Sequence, residues 1–169
     1  LALAALLFYV FIYTVWLKRR TPQNIVIGGA AGAFPPMVGW AAVTGEMSVA
    51  AWMMFAIIFF WTPPHFWALA IRYKDDYSAA DVPMLPSVAS FAHTADRIVA
   101  YTVVVVALSL GFGASAGLGL LYWITAVVLG VGFLGLGLKL RRSGDPGLAM
   151  RLFTWSITYV TLLFAAMAA

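Results

Sequence analysis

Residues 48–71 read SVAAWMMFAIIFFWTPPHFWALAI, a run without one charged side chain that stops at Arg72. A helix rises 1.5 Å per residue, so ~20 apolar residues cross the ~30 Å of hydrocarbon in a bilayer. The run therefore reads as a transmembrane helix. The same test applied outward finds five more. Leu1–Leu17 ends at Lys18-Arg19-Arg20, and Ile25–Thr44 ends at Gly45-Glu46. A polar, proline-containing connection, Tyr73–Arg97, separates the opening run from Ile98–Phe112, which is short and borrows residues from the Gly-rich turn 113–119. Leu120–Leu138 and Leu148–Ala169 complete the set. The expected fold class is all-α, a polytopic transmembrane bundle of six helices.

Composition agrees. Of the 169 residues, 64% are hydrophobic and only 9% charged, against roughly 25% charged in a soluble domain. The absence of cysteine excludes disulfides, thiolate metal sites and cysteine nucleophiles. The net charge of +4 comes from short basic clusters between apolar runs, a membrane-topology pattern rather than a nucleic-acid surface. All ten Lys and Arg fall near three connections: Lys18, Arg19 and Arg20; Arg72, Lys74 and Arg97; Lys139, Arg141, Arg142 and Arg151. The alternate connections carry none. That bias predicts a cytoplasmic basic side and an external C-terminus. The chain starts at Leu1, inside an apolar run and without the charged start of a signal peptide. It is expected to be a piece of a longer protein.

Pro35-Pro36 and Pro63-Pro64 interrupt two adjacent spans. Each proline removes a backbone donor and frees a carbonyl, which in lipid must find a partner or a wet cavity. Such pairs fit a packing kink or a cavity wall. Gly28-x-x-x-Gly32 and Gly113-x-x-x-Gly117 have the spacing of close helix contacts.

Chemistry concentrates after the third span. Asp75, Asp76, Asp81 and Asp96 lie in its connection, flanked by Arg72 and Lys74. Clustered carboxylates suit Mg²⁺, which takes one or two of them plus substrate phosphates, and nearby cations suit phosphate oxygens. Lys18, Arg19 and Arg20 end on the same side. The combination points to a diphosphate site; the same pattern also fits a solvated loop whose basic residues only set topology. His65 sits deep in an apolar helix, where an ionisable group marks function or satisfies a carbonyl freed by the prolines. It lies about 10 Å below Arg72, on roughly the same face. His93, in the polar connection, reads as a solvated histidine. No Gly-rich phosphate loop, catalytic triad order or zinc motif appears.

Three separated motifs occur in order: Tyr13-Thr14 with Leu17-Lys18-Arg19-Arg20-Thr21-Pro22-Gln23-Asn24 and Ile25-Val26-Ile27-Gly28-Gly29-Ala30; Trp61-Thr62-Pro63-Pro64-His65-Phe66-Trp67; and Tyr73-Lys74-Asp75-Asp76-Tyr77 with Pro83-Met84-Leu85-Pro86. Together they resemble the haem O synthases (protoheme IX farnesyltransferases) of the UbiA-type intramembrane prenyltransferases. The resemblance spans the chain, though the last two helices match only in character. It implies nine helices with two aspartate-rich motifs on the cytoplasmic side, of which residues 1–169 are the C-terminal part of a single domain. The last six helices and the second motif would lie here. A fragment holding one motif is expected to be inactive alone.

The implied reaction joins a farnesyl group from farnesyl diphosphate to a vinyl group of haem B, with water adding, to give haem O and diphosphate. Implied site residues are Asp76, Lys74 and His65 for catalysis, and Lys18, Arg19, Arg20, Asn24, Arg72 and Lys74 for the diphosphate. Asp76 and Asp75 would hold Mg²⁺, and His65 would serve the haem side. Asp81 stands where that family usually has a small residue and is left outside the ligand set. Partners would be the two substrates, the lipid of a bacterial inner membrane and a downstream haem A synthase, with no nucleic acid. A sister enzyme acting on a quinone or chlorophyll precursor, or a transporter or assembly subunit, is the alternative; the Pro-Pro-His motif separates the first and detectable prenyl transfer the second.

Overall fold

The computed structural model describes residues 1–169, and every element is a helix. Helix α1 (Ala2–Leu17) is α-helical to Leu7 and π-wound from Phe8 onward. Then follow α2 (Asn24–Thr44), α3 (Val49–Arg72), two short helices α4 (Lys74–Ala79) and α5 (Leu85–Val88), α6 (Phe91–Ser115), α7 (Leu120–Ser143) and α8 (Gly147–Met167). Five of these, α2, α3, α6, α7 and α8, are long and apolar enough to cross a membrane. The sixth apolar run forms α1, which is shorter.

Helix α3 is the hub. It packs on α2, α6 and α8, and α7 closes the ring between α6 and α8. Helix α1 touches only α2 among the long helices. The core lies where these faces meet, built from Ile57, Trp67, Ile98, Val105, Phe133, Leu152 and Tyr159. The outer surface is apolar: Val43 is 88% exposed, Leu120 75% and Val49 73%. Water would not tolerate so large an apolar surface, whereas lipid does. In that setting a buried polar group must be satisfied inside the bundle. Tyr122 donates from its hydroxyl to the Ser109 carbonyl at 2.7 Å, and the Ser109 and Tyr159 hydroxyls are paired at 2.7 Å. One serine thus ties α6 to both α7 and α8.

Several expectations are corrected. The polar connection ends at Ser90, not Arg97. Ser90 caps α6 by accepting from the His93 N–H at 3.2 Å, a standard N-cap role. His93, Asp96 and Arg97 therefore belong to a helix rather than a loop. Likewise α7 continues through Lys139, Arg141 and Arg142 until Gly144, whose φ of +66° ends it. The proline pairs do not interrupt their helices: α2 and α3 run unbroken through them. Beside the second pair, Thr62 donates its hydroxyl to the Ile58 carbonyl at 2.8 Å. Gly117 lies in a turn at φ +63° and makes no helix contact, while Gly113 gives room to the Tyr122 ring, whose Cε1 lies 2.6 Å from where a Cβ would sit.

Candidate active site at the charged end of the bundle

The antiparallel order brings the starts of α2, α6 and α8 and the ends of α1, α3 and α7 to one end. All three basic clusters therefore share that end with Asp75, Asp76, Asp81 and Asp96. Asp96 of α6 pairs with Arg141 of α7 across it. Lys74, Asp75 and Asp76 form the first turn of α4, immediately after Arg72 closes α3, and all four side chains are exposed. Lys18, Arg19 and Arg20 are exposed in the turn after α1.

Asn24 is placed differently from the cations around it. It is 1% exposed and donates from Nδ2 to the Lys18 carbonyl at 3.1 Å, which fixes the turn carrying Lys18–Arg20. Its Oδ1 has no partner. Asp81 terminates α4: the helix caps at Ala80, and Asp81 follows at φ +54°. Aspartate tolerates that left-handed conformation better than most side chains, so its presence has a backbone reason. It borders a shallow cleft with Arg19 and Ser78, apart from Asp75 and Asp76. No three His, Asp or Glu side chains gather as a metal cage. Asp75 and Asp76 alone fit the share of ligands that Mg²⁺ takes from protein when phosphates and water supply the rest.

Beneath this end lies an apolar cavity of about 340 Å³ between α1, α2 and α3. Its walls include Tyr9 and Tyr13 of α1, Gly28 and Gly32 of α2, and Trp61 and Phe66 of α3. Glycine makes the space. A Cβ on Gly28 would lie 2.6 Å from Tyr13 Cε2, and one on Gly29 would sit 3.2 Å from Thr62 Cβ, whereas Gly32 faces open space. Ile25 and Phe66 line the cavity and pack in one cluster with Tyr77, the residue after Asp76. Part of the cavity wall thus packs in one cluster with the helix that carries the carboxylates. Sequence reasoning found the charged residues and, from the proline pairs of α2 and α3, a cavity wall as one reading, but not the residues that line it.

His65 is brought to a different face. It is 8% exposed, sandwiched between Trp61 at 4.3 Å and Phe153 at 4.5 Å, and it does not line the cavity. Trp61 does line it, and so stands between the two. His65 Nδ1 lies 2.7 Å from Ser156 Oγ, which itself lies 2.6 Å from the Phe153 carbonyl. The Ser156 hydroxyl has one proton, and a contact between it and a carbonyl oxygen requires that proton. The contact with Nδ1 must then use the imidazole proton. The neutral ring therefore carries hydrogen on Nδ1 and its lone pair on Nε2.

Ser156 gave no signal in the sequence, because its partner lies 91 residues away. Ser156→Ala is expected to free both tautomers, read as a second histidine ¹⁵N pattern by NMR. It should also lower bundle stability by about 1 kcal/mol, the scale of a side-chain hydrogen bond between membrane helices. Trp61 should hold its place, because its indole donates to the Ser156 backbone carbonyl at 2.8 Å. One unchanged histidine pattern would show that the hydroxyl does not fix the ring.

The model of the UbiA prenyltransferase family matches residues 1–166. The chain is similar to the protoheme IX farnesyltransferase of Parafrankia sp. (strain EAN1pec), with 55% identity covering 100% of this chain and 55% of that protein. It is 54% identical to that of Frankia alni, over 99% of this chain and 59% of the relative. Against that of Mycobacterium avium (strain 104) it is 53% identical, over 99% and 55%. The chain therefore spans little more than half the length of these curated relatives. No solved structure matches it.

Proposed function

We infer the activity from one premise: this chain belongs to the UbiA prenyltransferase family. The protein it represents transfers a farnesyl group from farnesyl diphosphate to a vinyl group of haem B, giving haem O. A carbon–carbon bond forms between the farnesyl C1 and the vinyl terminus. The C1–oxygen bond breaks to release diphosphate, and water adds its oxygen to the other vinyl carbon and loses a proton. The observation that carries this reading is the juxtaposition of exposed Lys74, Asp75 and Asp76 with an apolar cavity whose lining residues Ile25 and Phe66 share a packed cluster with Tyr77 of the same helix. A charged head above a hydrocarbon slot matches the two halves of a prenyl diphosphate. The cavity volume of about 340 Å³ lies within the ~300–1,000 Å³ usual for small-molecule sites.

The residues then divide the work. Lys74 and Arg72, with Lys18, Arg19 and Arg20, stabilise the charge that develops on the leaving diphosphate. Asn24 holds the turn of Lys18–Arg20 in place. Asp76 and Asp75 would hold Mg²⁺, which when bound supplies further neutralisation of the phosphates. Tyr9, Tyr13, Trp61 and Phe66 restrict bulk water around the allylic cation, and their ring faces favour positive charge. His65, one ring behind Trp61, serves the haem side. The basic end faces the cytoplasm of a bacterial inner membrane and the C-terminus faces outward. A haem A synthase consumes the product.

Gly32 gives the direct test of the cavity. Gly32→Leu places a side chain in open space and should leave the fold intact. It should raise KM for farnesyl diphosphate about tenfold, while the shorter geranyl diphosphate is less affected; one extra hydrocarbon contact in such a pocket discriminates by ~10–200-fold. Equal kinetics with both donors would place the prenyl chain elsewhere. Transfer by the full-length protein to a quinone precursor but not to haem B would reassign the acceptor.

A further inference from the structure

A second chamber, of about 110 Å³, lies at the same end and shares no wall with the prenyl cavity. It is bounded by Gln23 before α2, Trp67 of α3, Leu85 of α5, and His93, Arg97 and Tyr101 of α6. The last three recur at intervals of four and share one helix face. No carboxylate lines the chamber. Asp96, the nearest acid in sequence, is paired with Arg141 on α7, and no acid pairs with Arg97. Trp67 forms the buried wall: it is 3% exposed, its ring sits against Tyr101 at 5.3 Å, and its indole N–H has no acceptor in the protein. A buried donor without a partner is rare and calls for a specific explanation, such as an acceptor that enters the chamber. An indole N–H and a guanidinium can only donate, and the amide, phenol and imidazole can all donate as well.

We propose that this chamber binds a phosphate group, the headgroup of an anionic phospholipid or a free phosphate, at a site separate from that of the prenyl donor. A group rich in acceptors meets a wall in which every polar side chain can donate. Arg97 supplies the charge and a fork that matches phosphate oxygens, and the Trp67 N–H supplies a buried bond. The chamber has room for such a group, since a single water occupies ~30 Å³ of liquid. Its place at the charged end, between helix ends and lined by tryptophan, tyrosine and arginine, is where basic pockets hold anionic lipid headgroups.

The test uses the full-length protein in detergent and in nanodiscs. Phosphatidylglycerol retention is measured by native mass spectrometry against phosphatidylcholine, and inorganic phosphate binding by calorimetry. Two variants are compared: Arg97→Gln, an exposed change, and Trp67→Phe, which keeps the ring against Tyr101 but removes the N–H. Wild type should prefer phosphatidylglycerol. Arg97→Gln should bind it about tenfold more weakly, as loss of a charge-assisted hydrogen bond predicts, and Trp67→Phe roughly threefold more weakly, as loss of a neutral one predicts. Arg151→Gln, which removes a charge at the same end but outside the chamber, should change nothing. Saturable binding of inorganic phosphate that Arg97→Gln abolishes, without a lipid preference, supports the site and identifies a free anion as its occupant. Equal binding in wild type, Arg97→Gln and Trp67→Phe, or no binding of either probe, overturns the proposal and leaves a chamber filled by water.

Discussion

Asp76→Ala in the full-length protein is expected to lower kcat/KM for farnesyl transfer by about 10²–10³, the cost of losing one preorganised charge contact to a developing anion. The exposed carboxylate of Asp76 stands in the first turn of α4, next to Tyr77, which packs in one cluster with the cavity-lining Ile25 and Phe66. Its removal leaves the fold alone, because no buried contact depends on it. Lys74→Ala should act similarly on the phosphate side. Asp75→Ala should raise the Mg²⁺ concentration needed for half-maximal rate. Asp81 is the control. It sits at φ +54° and ends the helix, so Asp81→Gly satisfies the backbone and should retain most activity. Steady-state kinetics and Mg²⁺ titrations on the four variants decide the matter. If Asp81→Gly abolishes transfer and Asp76→Ala does not, the carboxylates have been assigned in the wrong order.

Hydropathy located the apolar runs, but not where the helices that carry them end. Those are separate physical events. The expected run Ser48–Ile71 differs from α3 by one residue at each end, because Ser48 is its N-cap and Arg72 its last turn. The α6 helix begins seven residues before the expected Ile98. His93, Asp96 and Arg97 are too polar for hydrocarbon, yet the helix includes them and extends beyond the apolar run. Lys139, Arg141 and Arg142 do the same for α7. The signal that fixes the true start of α6 was local, the serine at position 90 ahead of a free N–H.

The candidate site divides along a similar line. Charged residues were legible because charge is costly in a membrane protein and concentrates where it is used or where topology needs it. The proline pairs allowed for a cavity wall, but the cavity's shape was not legible, since it arises from the absence of side chains on one face of α2 and from Tyr13 lying across Gly28. Gly28-x-x-x-Gly32 signalled close packing; in the structure the first glycine meets an aromatic ring and the second opens onto space. Asn24 belonged to a recognisable motif, but its buried bond to the Lys18 carbonyl gives it a supporting place that the motif alone could not specify.

His65→Gln in the full-length protein is expected to weaken haem binding at least tenfold, the scale on which even an outer-shell partner matters at a metal site. Farnesyl diphosphate binding should stay near normal. The geometry makes that separation. His65 lies outside the prenyl cavity, and Trp61 and Phe153 hold its ring from both sides. Ser156 occupies Nδ1, which leaves Nε2 with a lone pair for a haem iron or for the proton released by the added water. The competing account is purely structural: the imidazole bridges α3 and α8 through Ser156 and does nothing more. Both accounts predict some loss of thermal stability in His65→Ala, which opens a gap between two rings, so stability alone cannot choose. The haem absorption spectrum can. An imidazole ligand leaves a Soret band that shifts in His65→Gln, and Ser156→Ala should move it slightly by loosening the ring. If His65→Gln retains full haem O synthesis with an unchanged spectrum, His65 is a helix-packing residue and the haem side of the site must be sought elsewhere.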